Sequence, residues 1–144
     1  ARSSMYQYYP STEVLLGTAV AELLRRSRDR IVAAVGAAGT PAERVSAYVR
    51  AALDDAAEGH GSVPDVSGMP MPDFCREAVR ALHDELLEPL RTALGDAGVA
   101  DSQIAAQLVQ GLVNAAVSAI HHGAPAQGTR EATLDLVLRG FGLT

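Results

Sequence analysis

Apolar residues recur at three- and four-residue spacing along most of the chain, and glycine, proline and small polar residues divide that pattern into a series of helices. Residues 2–9 read as the end of a short, truncated helix closed by Pro10, which disfavours helix at Tyr9 and sets a boundary there. Ser11 is placed to cap the next helix, with Glu13 early in its first turn, where the dipole favours a negative charge. That helix carries Val14, Leu15, Val20, Leu23, Leu24, Ile31, Val32 and Val35, and Gly36 ends it. Thr40-Pro41-Ala42-Glu43 is a capping box with proline at the first helical position, so a helix start has two separate physical reasons here. Val45, Tyr48, Val49, Ala52 and Leu53 face inward from it, and it stops near Gly59.

Residues 59–72 hold three Gly and three Pro and cannot be regular helix. They read as a long loop, or as a join across residues missing from the chain. A helix from Asp73 to Gly95 or Gly98 places Phe74, Ala78, Ala81, Leu82, Leu86, Leu90 and Leu94 at helical spacing, with a kink expected near Glu85 to Pro89. Asp101 or Ser102 caps the next helix. Its Ile104, Leu108, Val109, Leu112, Val113, Ala116, Val117 and Ile120 cover more than half the circumference, so it requires partners on two sides. After a turn at 123–128, a last helix begins at Thr129 and carries Leu134, Leu136, Val137, Leu138 and Phe141.

Composition agrees with this all-α reading. The apolar content of 48% is mostly Ala, Leu and Val, with four Tyr, two Phe and no Trp, and unbranched side chains lose little rotamer freedom in a helix. A chain of 144 residues is long enough for one body that buries roughly 70% of its unfolded surface. The net charge of −5 gives no basic surface for duplex DNA, so any nucleic-acid contact must be local. Residues 103–120 are uncharged, but Gln103, Gln107, Gln110, Asn114 and Ser118 interrupt them, which argues for a helix buried in protein rather than in a membrane. The single Cys75 forms no internal disulfide and reads as a small buried thiol; with no leader peptide visible, a cytoplasmic protein is expected.

The opening Arg2-Ser3-Ser4-Met5-Tyr6-Gln7-Tyr8-Tyr9-Pro10-Ser11-Thr12-Glu13-Val14-Leu15-Leu16 resembles the TetR family of transcriptional regulators. Members show a small pair, an aliphatic residue, Tyr, a variable position, two aromatic positions, a short turn, then an acidic residue and a Leu pair. The resemblance covers about a dozen residues; Thr12 departs from the Lys often found there, which removes one phosphate contact. It implies that residues 1–10 end a helix-turn-helix, with its first two helices upstream of Ala1, and that 11–144 form an effector-binding and dimerisation domain. Arg2, Ser3, Ser4 and Gln7 would face bases or phosphates and Tyr6 and Tyr8 the DNA backbone, so only a longer chain would hold operator DNA well.

The resemblance further implies a homodimer through helices 102–121 and 129–140, and an apolar small-molecule effector between the central helices. Tyr48, Met69, Met71, Phe74, His83, Gln110 and Asn114 are the effector-site candidates, since such sites are mostly apolar with a few orienting polar groups. The Met-Pro-Met-Pro segment would be a lid, because methionine adapts to varied ligands. The polar stripe from Gln103 to Ser118 is either pocket wall or the wet side of its helix.

No enzyme chemistry is legible: a phosphate loop, Cys/His metal spacing and a nucleophile elbow are all absent from the sequence. His121 and His122 are adjacent and point about 100° apart in regular helix, so no metal site is expected and no cofactor is assigned. The alternative reading is a helical small-molecule carrier or protein-interaction domain with no DNA role.

Overall fold

The computed structural model describes residues 11–58 and 68–144; these contain five helices and no strand. They are α1 (Thr12–Gly36), α2 (Pro41–Ala57), α3 (Asp73–Asp96), α4 (Ser102–His121) and α5 (Ala126–Gly140). Residues 2–9 and most of the 59–72 segment, and with them the DNA-binding candidates Arg2, Ser3, Ser4, Tyr6, Gln7 and Tyr8, lie outside the described residues.

The helix starts follow local chemistry. Ser11 Oγ accepts from Val14 N at 3.2 Å, and Asp101 accepts from Ile104 N at 3.0 Å, each satisfying an N–H that the first turn leaves without a carbonyl. At α2 the capping box is complete: Glu43 N donates to Thr40 Oγ1 at 3.2 Å, and Thr40 N donates back to Glu43 Oε2 at 3.0 Å. Gly39 N reaches the same carboxylate oxygen at 3.1 Å. These backbone N–H groups hold the Glu43 carboxyl below its ordinary range.

Helix α3 runs through Pro89 without interruption. Proline has no N–H for the carbonyl one turn back, and on the adjacent carbonyl, that of Asp84, Arg91 places Nη2 at 3.0 Å. Helix α5 begins three residues earlier than Thr129. Pro125 takes the cap position, where its missing N–H costs nothing, and Thr129 N donates to Pro125 O at 3.0 Å.

Helices α2 and α3 form a middle layer, with α1 on one side and α4 and α5 on the other. Tyr48, Leu24, Ile31, Leu53, Leu86, Leu90 and Leu94 are the largest wholly buried side chains. The inward face of α3 differs from the expected one over its first half. Cys75, Val79 and Leu82 are buried, while Phe74, Ala78 and Ala81 face solvent. Gly17 explains the choice: α1 and α3 approach so closely there that a Cβ on Gly17 would lie 2.7 Å from Cys75 Cβ and 2.8 Å from its Sγ. The stripe containing Cys75 has a recess to enter. Val32 likewise lies half exposed on α1, contrary to its expected inward position.

Candidate functional site

Two features of the structure carry functional chemistry, and α4 contributes to both. The first is a chain of hydrogen bonds from the core toward the surface. Tyr48 of α2 is fully buried, and its hydroxyl donates to Gln110 Oε1 of α4 at 2.6 Å; Gln110 Nε2 then donates to Asn114 Oδ1 at 2.9 Å. Gln110 is buried and Asn114 exposed, so the chain connects a dry end to a wet one. Burial pushes the Tyr48 phenol well above its ordinary range, which keeps it a neutral hydrogen-bond donor. Of the polar stripe on α4, Gln110 belongs to the protein interior, and Gln103, Gln107, Asn114 and Ser118 to the exposed side.

Three of the seven effector candidates, Tyr48, Gln110 and Asn114, are therefore joined directly. The remaining four lie on or just before α3. Met71 is buried beside Gly17 and belongs to the core, while Met69 is partly buried and its carbonyl accepts from Arg76 Nη2 at 3.3 Å. His83 is half-buried. Phe74 is 64% exposed and turned to solvent, away from the core that an effector between helices would enter. A surface groove of about 450 Å³ lies between the end of α1 and the first turns of α2; Ala34, Ala37, Ala38, Ser46 and Ala47 line it with Glu43 and Arg50, and none of the seven candidates does.

The second feature is the outer face of α4 and α5. Helix α4 contains no Asp, Glu, Lys or Arg, although about half of its positions are exposed. Ile104 and Leu108 on α4 and Leu136 on α5 are more than half exposed, at 54%, 58% and 56%. Around them lie the exposed small residues Gly111, Ala115 and Ala132. By length and composition α4 could cross a membrane, with mean hydropathy 1.3. Its inner side nonetheless packs on α2, α3 and α5, so one of the two partners required by its wide apolar surface is already present. Among the described residues, no helix packs on the outer side. It escaped a sequence reading only in part: Ile104, Leu108 and Leu136 were visible as apolar, but not which of them the chain itself would cover.

Comparison with known proteins returns no relative. No family model matches the chain, and neither a curated protein nor a solved structure is similar to it at a significant level. The functional reading consequently rests on the residues and the geometry above.

A buried polar cluster elsewhere has a structural explanation. Ser27 Oγ of α1 donates to Asp55 Oδ2 of α2 at 3.4 Å, and Arg30 pairs with the same oxygen at 3.1 Å, so the carboxylate ties the first two helices together. Arg130 of α5 pairs with Asp54, adjacent on the other side of α2. Among the described residues no group of three His, Cys, Asp or Glu side chains converges as a metal site would require.

Proposed function

We propose that this chain is the effector-binding and dimerisation part of a TetR-type transcriptional regulator, a cytoplasmic repressor released from its operator by an apolar small molecule. The observation that carries the proposal is the double role of α4. Its inner side holds a neutral buried polar pair, Tyr48 with Gln110, and its outer side presents an uncharged surface on which Ile104 and Leu108 lie exposed among amide and hydroxyl side chains. A regulator of this kind requires both: an interior with a few orienting polar groups for ligand, and a self-association face that sets the spacing of two DNA-reading units. The acidic balance of the body fits DNA contact confined to the segment before Ser11.

Ligand acts by preferring one arrangement of the dimer over another, and can shift the balance only by its differential affinity for the two. A neutral ligand able both to accept from the Tyr48 hydroxyl and to donate to Gln110 Oε1 would replace their mutual bond without leaving a buried group unsatisfied.

The deciding experiment measures operator binding by the full-length protein with and without a panel of neutral apolar ligands. The expected result is operator binding that at least one ligand weakens. Ligand binding that leaves operator affinity unchanged, or a full-length chain that binds no DNA, would transfer support to a helical carrier or protein-interaction domain.

A further inference from the structure

The groove between the end of α1 and the first turns of α2, about 450 Å³, is within the usual size range of small-molecule sites. Glu43, Ser46, Ala47 and Arg50 line it from one face of α2, one or two turns apart, and Ala34, Ala37 and Ala38 line it from α1. The alanine methyl groups leave open a space that larger side chains would fill. Its two ends differ in charge. At one, Glu43 Oε2 accepts from the backbone N–H groups of Gly39 and Thr40, while Oε1 accepts from no described residue. Helix α1 ends beside it with no basic residue in its last turn, so the negative end of its dipole is uncompensated. At the other end is Arg50, exposed and without an ion pair or hydrogen bond among the described residues. The other arginines of α1 and α2, Arg25, Arg26, Arg28, Arg30 and Arg44, all pair with carboxylates.

The geometry points to a short free peptide as the ligand of this groove, with its ammonium group at Glu43 and its carboxylate at Arg50. Glu43 and Arg50 are two turns apart on α2, about 10 Å along the axis. An extended peptide of about three residues spans the same distance between its terminal charges. A ligand charged with one sign at both ends matches only one end of the groove: a dicarboxylate meets Glu43 as well as Arg50, and a diamine the reverse. The planar guanidinium of Arg50 suits a terminal carboxylate, which it can hold through two parallel N–H donors. Ser46 supplies a hydroxyl between the ends, where a peptide group would lie, and the alanine lining favours small side chains. The groove shares no residue with the Tyr48, Gln110 and Asn114 chain and lies at the opposite end of α1 from Thr12. The inference therefore goes beyond the regulator reading and stands without it.

The test titrates the isotope-labelled full-length protein with trialanine and follows its backbone amide resonances. The expected result is saturable binding at millimolar concentration, with shifts centred on Ala34, Ala37, Ala38, Ser46 and Ala47. N-acetyl-trialanine and trialanine amide each lack one terminal charge, and each should bind about fivefold more weakly, the effect of one exposed ion pair. Arg50→Gln should weaken trialanine by the same factor but leave trialanine amide unaffected, because that peptide has no carboxylate to lose. Glu43→Gln keeps an oxygen for the capping box and should lower the affinity for trialanine without lowering that for its N-acetyl form. Ala47→Leu should fill the groove and abolish binding, with helical content unchanged. Capped peptides that bind as tightly as trialanine would overturn the zwitterionic ligand. An equal loss for trialanine and its amide in Arg50→Gln would overturn the orientation. Shifts confined to other residues, or none at millimolar trialanine, would overturn the site.

Discussion

Gly17 of α1 and Cys75 of α3 occupy adjoining space: the Sγ of Cys75 lies 2.8 Å from where a Cβ on Gly17 would stand. Both are buried. Substituting Gly17→Ala improves intrinsic helix propensity by about 1 kcal/mol, but the new methyl group must displace Cys75 or separate the helices, an overpacking cost of about 1–3 kcal/mol. Denaturant unfolding should show a net loss of stability in Gly17→Ala, and Cys75→Ala should relieve part of it when the two are combined. A more stable Gly17→Ala protein would contradict this packing.

Tyr48 and Gln110 should behave as a coupled pair. Tyr48→Phe leaves Gln110 Oε1 buried without its donor and should cost about 1–3 kcal/mol. Gln110→Leu in addition removes the stranded acceptor, so the double variant should be less destabilised than the sum of the single ones. A double-mutant cycle in chemical denaturation measures the difference, and strict additivity would mean that the bond contributes nothing.

The α2 capping box makes a pH-dependent contribution whose sign is fixed. The Glu43 carboxyl titrates lower in the folded chain than in the unfolded one, because Thr40 and Gly39 donate backbone N–H groups to it. Its contribution is therefore present above the ordinary glutamate range and is lost as pH falls through the folded value. Thr40→Ala should cost about 1 kcal/mol near neutral pH. Glu43→Gln should flatten the acid limb of the stability profile, where pH falls through and below the ordinary glutamate range; an unchanged acid limb in that variant would rule the contribution out.

Phe74 and Leu86 provide a contrast between two apolar residues of one helix. Phe74 is 64% exposed and Leu86 is 2% exposed. Phe74→Ser should change stability by no more than about 0.5 kcal/mol, whereas Leu86→Ala should cost about 2–5 kcal/mol. Thermal melts of the two variants check this directly, and a large loss for Phe74→Ser would show that the ring is covered in the assembled protein.

That contrast also marks where the sequence could be read and where it could not. Helix starts with side-chain caps, at Ser11, Thr40 and Asp101, were legible because the capping bonds span three residues. The start of α5 was not, because Pro125 and Gly128 look like a turn; nothing local shows that Pro125 serves as a cap and that the helix accepts Gly128. On α3 two apolar stripes were available, and the choice between them depended on a recess at Gly17, fifty-eight residues away from Cys75. The α4 polar stripe had the same difficulty. Gln110 turns inward because Tyr48 meets it from another helix, a relation of 62 residues that spacing along α4 cannot express.

The recess at Gly17 has a mechanical consequence. Helix α1 contains 25 residues, so the stretch from Ser27 to Thr12 is a rigid arm about 22 Å long. It is tethered at Ser27 to α2 through Asp55, and pressed at Gly17 against α3. A tilt of about 5° at the tether would swing Thr12 by about 2 Å, and the Cys75 contact lets the arm swing toward α3 only if α3 gives way. An inward swing of the N-terminal end of α1 is thus felt in the middle layer through Gly17 and Cys75.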